Sequence, residues 1–200
     1  MKNRLLLFLT FFLNAGQLIT AQSTDSTSKH WGIGAAFVEG TFRGAQIKAD
    51  YFFRPKLTFS SSLNLGTQRY EGTAYWGYNA ELMFTGSYYI LGHNATGRGG
   101  LYVLGGLGYD GRKFGFGSTN DTYYFRGTVN GLASTFGIGA DLKLKRGRLF
   151  FEIQNPFTVL GDFEHHGNYE SIAPIVNGHQ TIVMSNLGMQ LKLGYTYHFK

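Results

Sequence analysis

The sequence predicts an all-β fold, an eight-stranded antiparallel up-and-down transmembrane β-barrel. Three observations carry this. Apolar residues recur at every second position through eight separate runs, the period of a strand and not of a helix. The links between runs alternate between short and long, as in a barrel with tight turns at one end and loops at the other. The faces opposite the apolar ones are small and mostly uncharged, which suits a narrow lumen better than a soluble surface.

The runs follow in chain order. Trp31, Ile33, Ala35 and Phe37 form the first, and Ala45, Ile47, Ala49, Tyr51 and Phe53 the second. Leu57, Phe59, Ser61, Leu63 and Leu65 are the third, with Thr58, Ser60, Ser62 and Asn64 on the other face. Tyr78 through Ile90 gives the fourth, Leu101 through Tyr109 the fifth and Leu132 through Leu144 the sixth. Leu149, Phe151 and Ile153 make the seventh and shortest. The eighth runs without a fault from Leu187 to Phe199, with Leu187, Met189, Leu191, Leu193, Tyr195, Tyr197 and Phe199 on one face. Several runs approach the length a tilted strand needs to cross a bilayer.

Short or glycine-rich links, Arg54 to Lys56, Gly92 to Gly100 and Lys145 to Arg148, alternate with longer ones at 67–76, 110–130 and 155–184. The link from Glu39 to Arg43 is short although it belongs with the long set. All three prolines fall outside the alternating runs. Aromatic residues gather near strand ends, with Tyr51, Phe53, Tyr88, Tyr89 and Tyr195 to Phe199 on one rim and Tyr75, Trp76, Tyr78 and Tyr109 towards the other. Such girdles mark headgroup level.

The N-terminus supplies the route to a membrane. Lys2 and Arg4 precede an apolar stretch from Leu5 to Leu13, then small and polar residues up to Ala21. This is the pattern of a secretory signal, cut before Gln22, and the apolar stretch is too short to span a bilayer. The expected organisation is a signal at 1–21, a polar leader at 22–30 and a barrel at 31–200. The formal charge of +6 falls to +4 once Lys2 and Arg4 are removed. That excess is scattered, and no basic stripe of the kind nucleic-acid binding uses is present. There is no cysteine, so neither disulfides nor a lipid-bearing cysteine enter.

The Ala21-Gln22 junction, the eight strands and the ending Tyr195-Thr196-Tyr197-His198-Phe199 resemble the small outer-membrane β-barrel proteins of the Bacteroidetes, related in architecture to the OmpA, OmpX and OmpW types. The resemblance covers the mature chain. It implies residence in the cell outer membrane and contact with its lipid and lipopolysaccharide. It also implies recognition of the terminal aromatic segment by the barrel-assembly machinery.

Charges predicted to face inward are Lys48, Asp50, Glu81, Asp110, Asp141, Lys143, Glu152 and Lys192. An eight-stranded interior is only about wide enough for side chains, so these groups are expected to plug the lumen and not to line a path. In the 110–130 link, Arg112, Lys113, Phe114, Tyr123, Tyr124, Phe125 and Arg126 are candidates for binding an extracellular ligand, because exposed aromatics beside cations suit an interface. Asp162, Glu164, His165, His166, Glu170 and His179 form a weaker group. Adjacent histidines on an extended segment point opposite ways, so no metal site is assigned. A lipid-modifying enzyme would place a serine beside the histidine, but His165-His166-Gly167-Asn168 offers none. No catalytic residue and no cofactor is expected. Gly106 to Gly111 matches G-x-G-x-x-G but precedes no helical pattern, which a phosphate site needs. The expected function is binding, adhesion or envelope integrity through extracellular loops. Narrow-channel and lipid-modifying readings stand behind it.

Overall fold

The computed structural model describes residues 31–40, 42–69, 76–93, 98–117, 123–169, 173–186 and 188–199. The expected signal and polar leader lie outside them. The described chain is strand throughout, apart from tight turns: β1 (Trp31–Glu39), β2 (Arg43–Arg54), β3 (Leu57–Arg69), β4 (Trp76–His93), β5 (Gly99–Phe116), β6 (Tyr123–Leu144), β7 (Gly147–Tyr169), β8 (Ala173–Asn186) and β9 (Gln190–His198). Every pairing is antiparallel.

Neighbours in sequence are neighbours in the sheet from β1 to β7. The lower part of β7, Gly147 to Gln154, pairs with β9, and β9 pairs with β1, which closes the ring. The upper part of β7, Phe157 to Tyr169, pairs with β8. β8 and β9 are thus two lengths of one stave, and the barrel has eight. The break between them lies opposite Pro156, which has no N–H to give a ladder. There Gly188 takes a φ of 79°, a left-handed value that glycine adopts without strain. Among the described residues β8 has no partner but β7.

A row of cross-strand partners shows the tilt. It runs from Gly194 through Ala36, Gln46, Asn64, Glu81, Asp110, Gly131 and Gly161 to Ile182, returning to the closing stave 12 residues from its start (194 to 182). A closed sheet must stagger in this way.

The expected faces hold. Ile138 is 58% exposed on the outside, whereas Thr135 on the same strand is 2% exposed inside. Trp31, Ile33, Phe37, Ile47, Phe84, Leu107 and Phe136 all present bare apolar surface outward. The inward face is buried and largely polar, with aromatic and aliphatic side chains among the polar ones.

Strand lengths differ from expectation. The seventh run, read as the shortest, belongs to the longest strand, β7, with 23 residues. The expected links at 110–130 and 155–184 are largely strand: β5 continues to Phe116, β6 begins at Tyr123, and β7 and β8 cover most of 155–184. For the 155–184 link the cause is a change of phase. A bulge between the pairs Leu132↔Leu160 and Ala133↔Thr158 shifts the alternation of β7 by one residue, so the inward set passes from even to odd numbers. Pro156 and Pro174 lie inside strands, contrary to the expected placement. The eighth stave is longer than expected and interrupted. The wall from β5 to β8 therefore rises well above the short β1–β2 hairpin.

Candidate functional site

Glycines on the inner face make room for the large side chains that fill the lumen. Tyr102 lies across Gly139 of the next strand, where an added Cβ would fall 2.3 Å from the ring. Its hydroxyl thereby reaches two strands over and donates to Glu152 at 2.8 Å. Phe150 lies across Gly194 in the same manner, and the Lys48 ammonium sits 3.8 Å above that ring.

Three polar levels follow from the bottom upward. In the lowest, Tyr89 and Arg148 both donate to Asp141, which also accepts from the Gly100 N–H at 2.9 Å. Ser60 and Thr196 donate to Asp50 at 2.6 and 3.0 Å. Lys48 stands between two carboxylates, 3.6 Å from Asp50 and 3.5 Å from Glu152. These groups surround a cavity of about 20 Å³, room for about one water. In the middle level, Gln154 donates to Glu152 at 2.7 Å and accepts from Lys192 at 2.9 Å.

The upper level holds Glu81, which accepts from Asn64 at 2.9 Å and from Gln190 at 3.2 Å. Beside it Arg112 pairs with Asp110 at 2.7 Å and donates to Thr158 at 2.7 Å. Above lies an aromatic layer. Phe114 stacks on Phe163 with ring centres 6.0 Å apart, and Phe125 is 6.2 Å from Phe114. Both Phe114 and Phe163 rest over Gly127.

Most of the expected inward charges lie where expected. Lys48, Asp50, Glu81, Asp110, Asp141, Glu152 and Lys192 are buried together inside, and Lys143 is half-buried near the lower mouth. The expected ligand-binding group does not form one surface. Arg112 is an interior residue, because it lies two positions above Asp110 on the inward face of a strand that continues past the expected boundary. Phe114 and Phe125 pack into the aromatic layer, and Lys113 and Arg126 are exposed. The side chains of Tyr123 and Tyr124 lie outside the described ones. Asp162 and Glu164 sit exposed on β7, and the side chains of His165, His166 and His179, with all of Glu170, lie outside the description. Among the described residues no three histidines or carboxylates gather as a metal site.

Sequence reasoning missed Arg148, read as a turn residue, and Tyr89, read as a rim aromatic; both point inward. Parity was the available signal, since Arg148 shares its phase with Phe150 and Glu152.

No family model matches the chain, and no curated protein matches it in sequence. Solved structures do resemble it. A major outer membrane protein from Thermus thermophilus superposes with a TM-score of 0.62 at 15% identity, over 84% of this chain and 98% of that one. The fold is that of the outer-membrane β-barrels. Acinetobacter baumannii CarO is also similar, with a TM-score of 0.51 at 14% identity, over 89% of this chain and 100% of its own. At such identities the likeness concerns architecture.

Proposed function

We propose that the chain resides in the outer membrane, that its filled interior is a structural plug, and that it works through the tall wall of β5 to β8 in binding, adhesion or envelope integrity. The observation that carries this reading is the ladder of hydrogen bonds and ion pairs crossing the lumen, with room for about one water in its lowest level. The apolar outer face supports a bilayer location, and the signal-like N-terminus supports export. Lipopolysaccharide is the expected neighbour of the exposed Lys113 and Arg126. The affinity to the small Bacteroidetes barrels rests on the sequence resemblance.

Conductance of the refolded, signal-free protein in a planar bilayer tests the plug. Silence, with β-type circular dichroism, is the expected result; stable unitary steps overturn it. A second reading, a gated narrow channel, has one observation in its favour. Lys48 is nearly equidistant from Asp50 and Glu152, so it can change partners without leaving the lumen.

A further inference from the structure

Two glycines on the outer face answer to nothing inside the protein. Gly86 and Gly105 are cross-strand partners on β4 and β5, and neither has a positive φ. A Cβ added at Gly86 would make ordinary contact, 3.7 Å from the Phe59 ring, and one at Gly105 would lie 3.7 Å from the nearest atom, the Thr135 carbonyl oxygen. The interior glycines differ, since a Cβ at Gly139 or Gly194 would strike a ring at 2.3 or 2.5 Å. Glycine within a strand weakens it, so this pair costs stability that no contact of the chain explains.

Gly86 lies on the floor of an outer groove with Ala49 and Ser61, between walls that include Tyr51, Phe59 and Phe84. The groove has a volume of about 600 Å³ and an almost wholly apolar lining, within the roughly 300–1,000 Å³ of small-molecule sites. Its lower end meets positive charge. The Phe59 ring over Gly86 lies 5.9 Å from the Phe53 ring, and the Arg54 guanidinium sits 5.3 Å from the centre of Phe53. Lys56 stands exposed in the same turn, about 10 Å along the chain from Phe59. The three links at this end, 54–56, 92–100 and 145–148, hold cations and no carboxylate. Glu39, Asp162 and Glu164 lie towards the other end.

We propose that this groove holds an acyl chain of one anionic glycerophospholipid from the leaflet at the tight-turn end, with the lipid phosphate on Arg54 and Lys56. The inference rests on the bilayer location proposed above. A phosphate suits the guanidinium fork and the ammonium. An apolar chain fills the space that the glycines leave open, and aromatic rings beside the cations mark headgroup level. A second copy of the barrel seated in the groove would bring two cationic turns together with no acid in either to meet them.

The test uses Trp31, which stands at the edge of the groove. The chain has two tryptophans, so Trp76→Phe leaves Trp31 as the reporter. The refolded protein is placed in phosphatidylcholine vesicles doped with either phosphatidylglycerol or phosphatidylcholine carrying brominated chains, and quenching of Trp31 fluorescence is followed. Brominated phosphatidylglycerol is expected to quench at about fivefold lower mole fraction. Arg54→Gln with Lys56→Gln is expected to abolish that difference, whereas Lys145→Gln with Arg146→Gln, on the β6–β7 turn, keeps it. Gly86→Leu projects into open space and leaves the barrel folded, and it is expected to weaken quenching by phosphatidylglycerol. Equal quenching by the two lipids overturns the proposal. So does a preference lost alike in both double variants, which marks general attraction to a cationic rim, or one that survives Gly86→Leu. Absence of quenching by either lipid overturns the bilayer location itself, and the lipid site with it.

Discussion

At Gly139 the absent side chain is what counts. A methyl group there meets the Tyr102 ring at 2.3 to 2.6 Å, so Gly139→Ala must swing the ring away and break its bond to Glu152. The expected cost is about 1–3 kcal/mol, read from urea unfolding of the refolded barrel. Tyr102→Phe keeps the ring and loses only the donation, so it is expected to cost less. Equal stability of Gly139→Ala and the parent would remove the ring from that position. Arg112 gives a second case at this scale. Asp110 is 0% exposed and takes its ion pair from Arg112. Arg112→Met leaves a carboxylate buried without its cation, at about 3–5 kcal/mol, and adding Asp110→Asn is expected to restore most of that loss.

Strand faces were legible from period-two alternation alone, and Ile138 and Thr135 lie on the sides it assigns. Ile138→Arg places a charge in hydrocarbon, at about 2–4 kcal/mol near the midplane, and is expected to block assembly. The contrast with Thr135→Arg is narrowed by the structure: Thr135 is packed beside Gln154 in a full lumen, so overpacking also carries a cost. Thr135→Ser is the cleaner partner for the comparison. Strand ends were not legible. The bulge at Val159 and the interruption at Gly188 each reset the phase, and a pattern read in one phase stops there. Nitroxide labels at Thr128 and Glu164, paired across β6 and β7, are expected to broaden each other's spectra as neighbours about 5 Å apart; in a wide loop they would not. Gly188→Ala is expected to cost about 1–2 kcal/mol through its left-handed backbone. Of the interior, the charges within the alternating runs were readable, Glu81 and Asp141 at odd positions as well as Lys48 and Lys192 at even ones. Arg112 and the aromatic layer were hidden behind the misplaced strand end.

For the molecule as a whole, the ring depends on contacts between its two ends. β1 meets β9 along eight residue pairs, and inside the barrel Thr196 donates to Asp50 across 146 residues of chain. Other neighbouring staves are consecutive in the chain. A chain truncated before Gln190 is expected to lack the compact, heat-modifiable form on electrophoresis, whereas removing Phe199 and Lys200 alone is not. The seam also sets a clock. Closure over so long a separation is slow because chain entropy is lost before the contacts repay it. Until β9 is delivered, β1 keeps a free edge able to pair with any strand that approaches. The first strand made must therefore wait for the last, and the most hazardous interval in the life of this protein is the time between them.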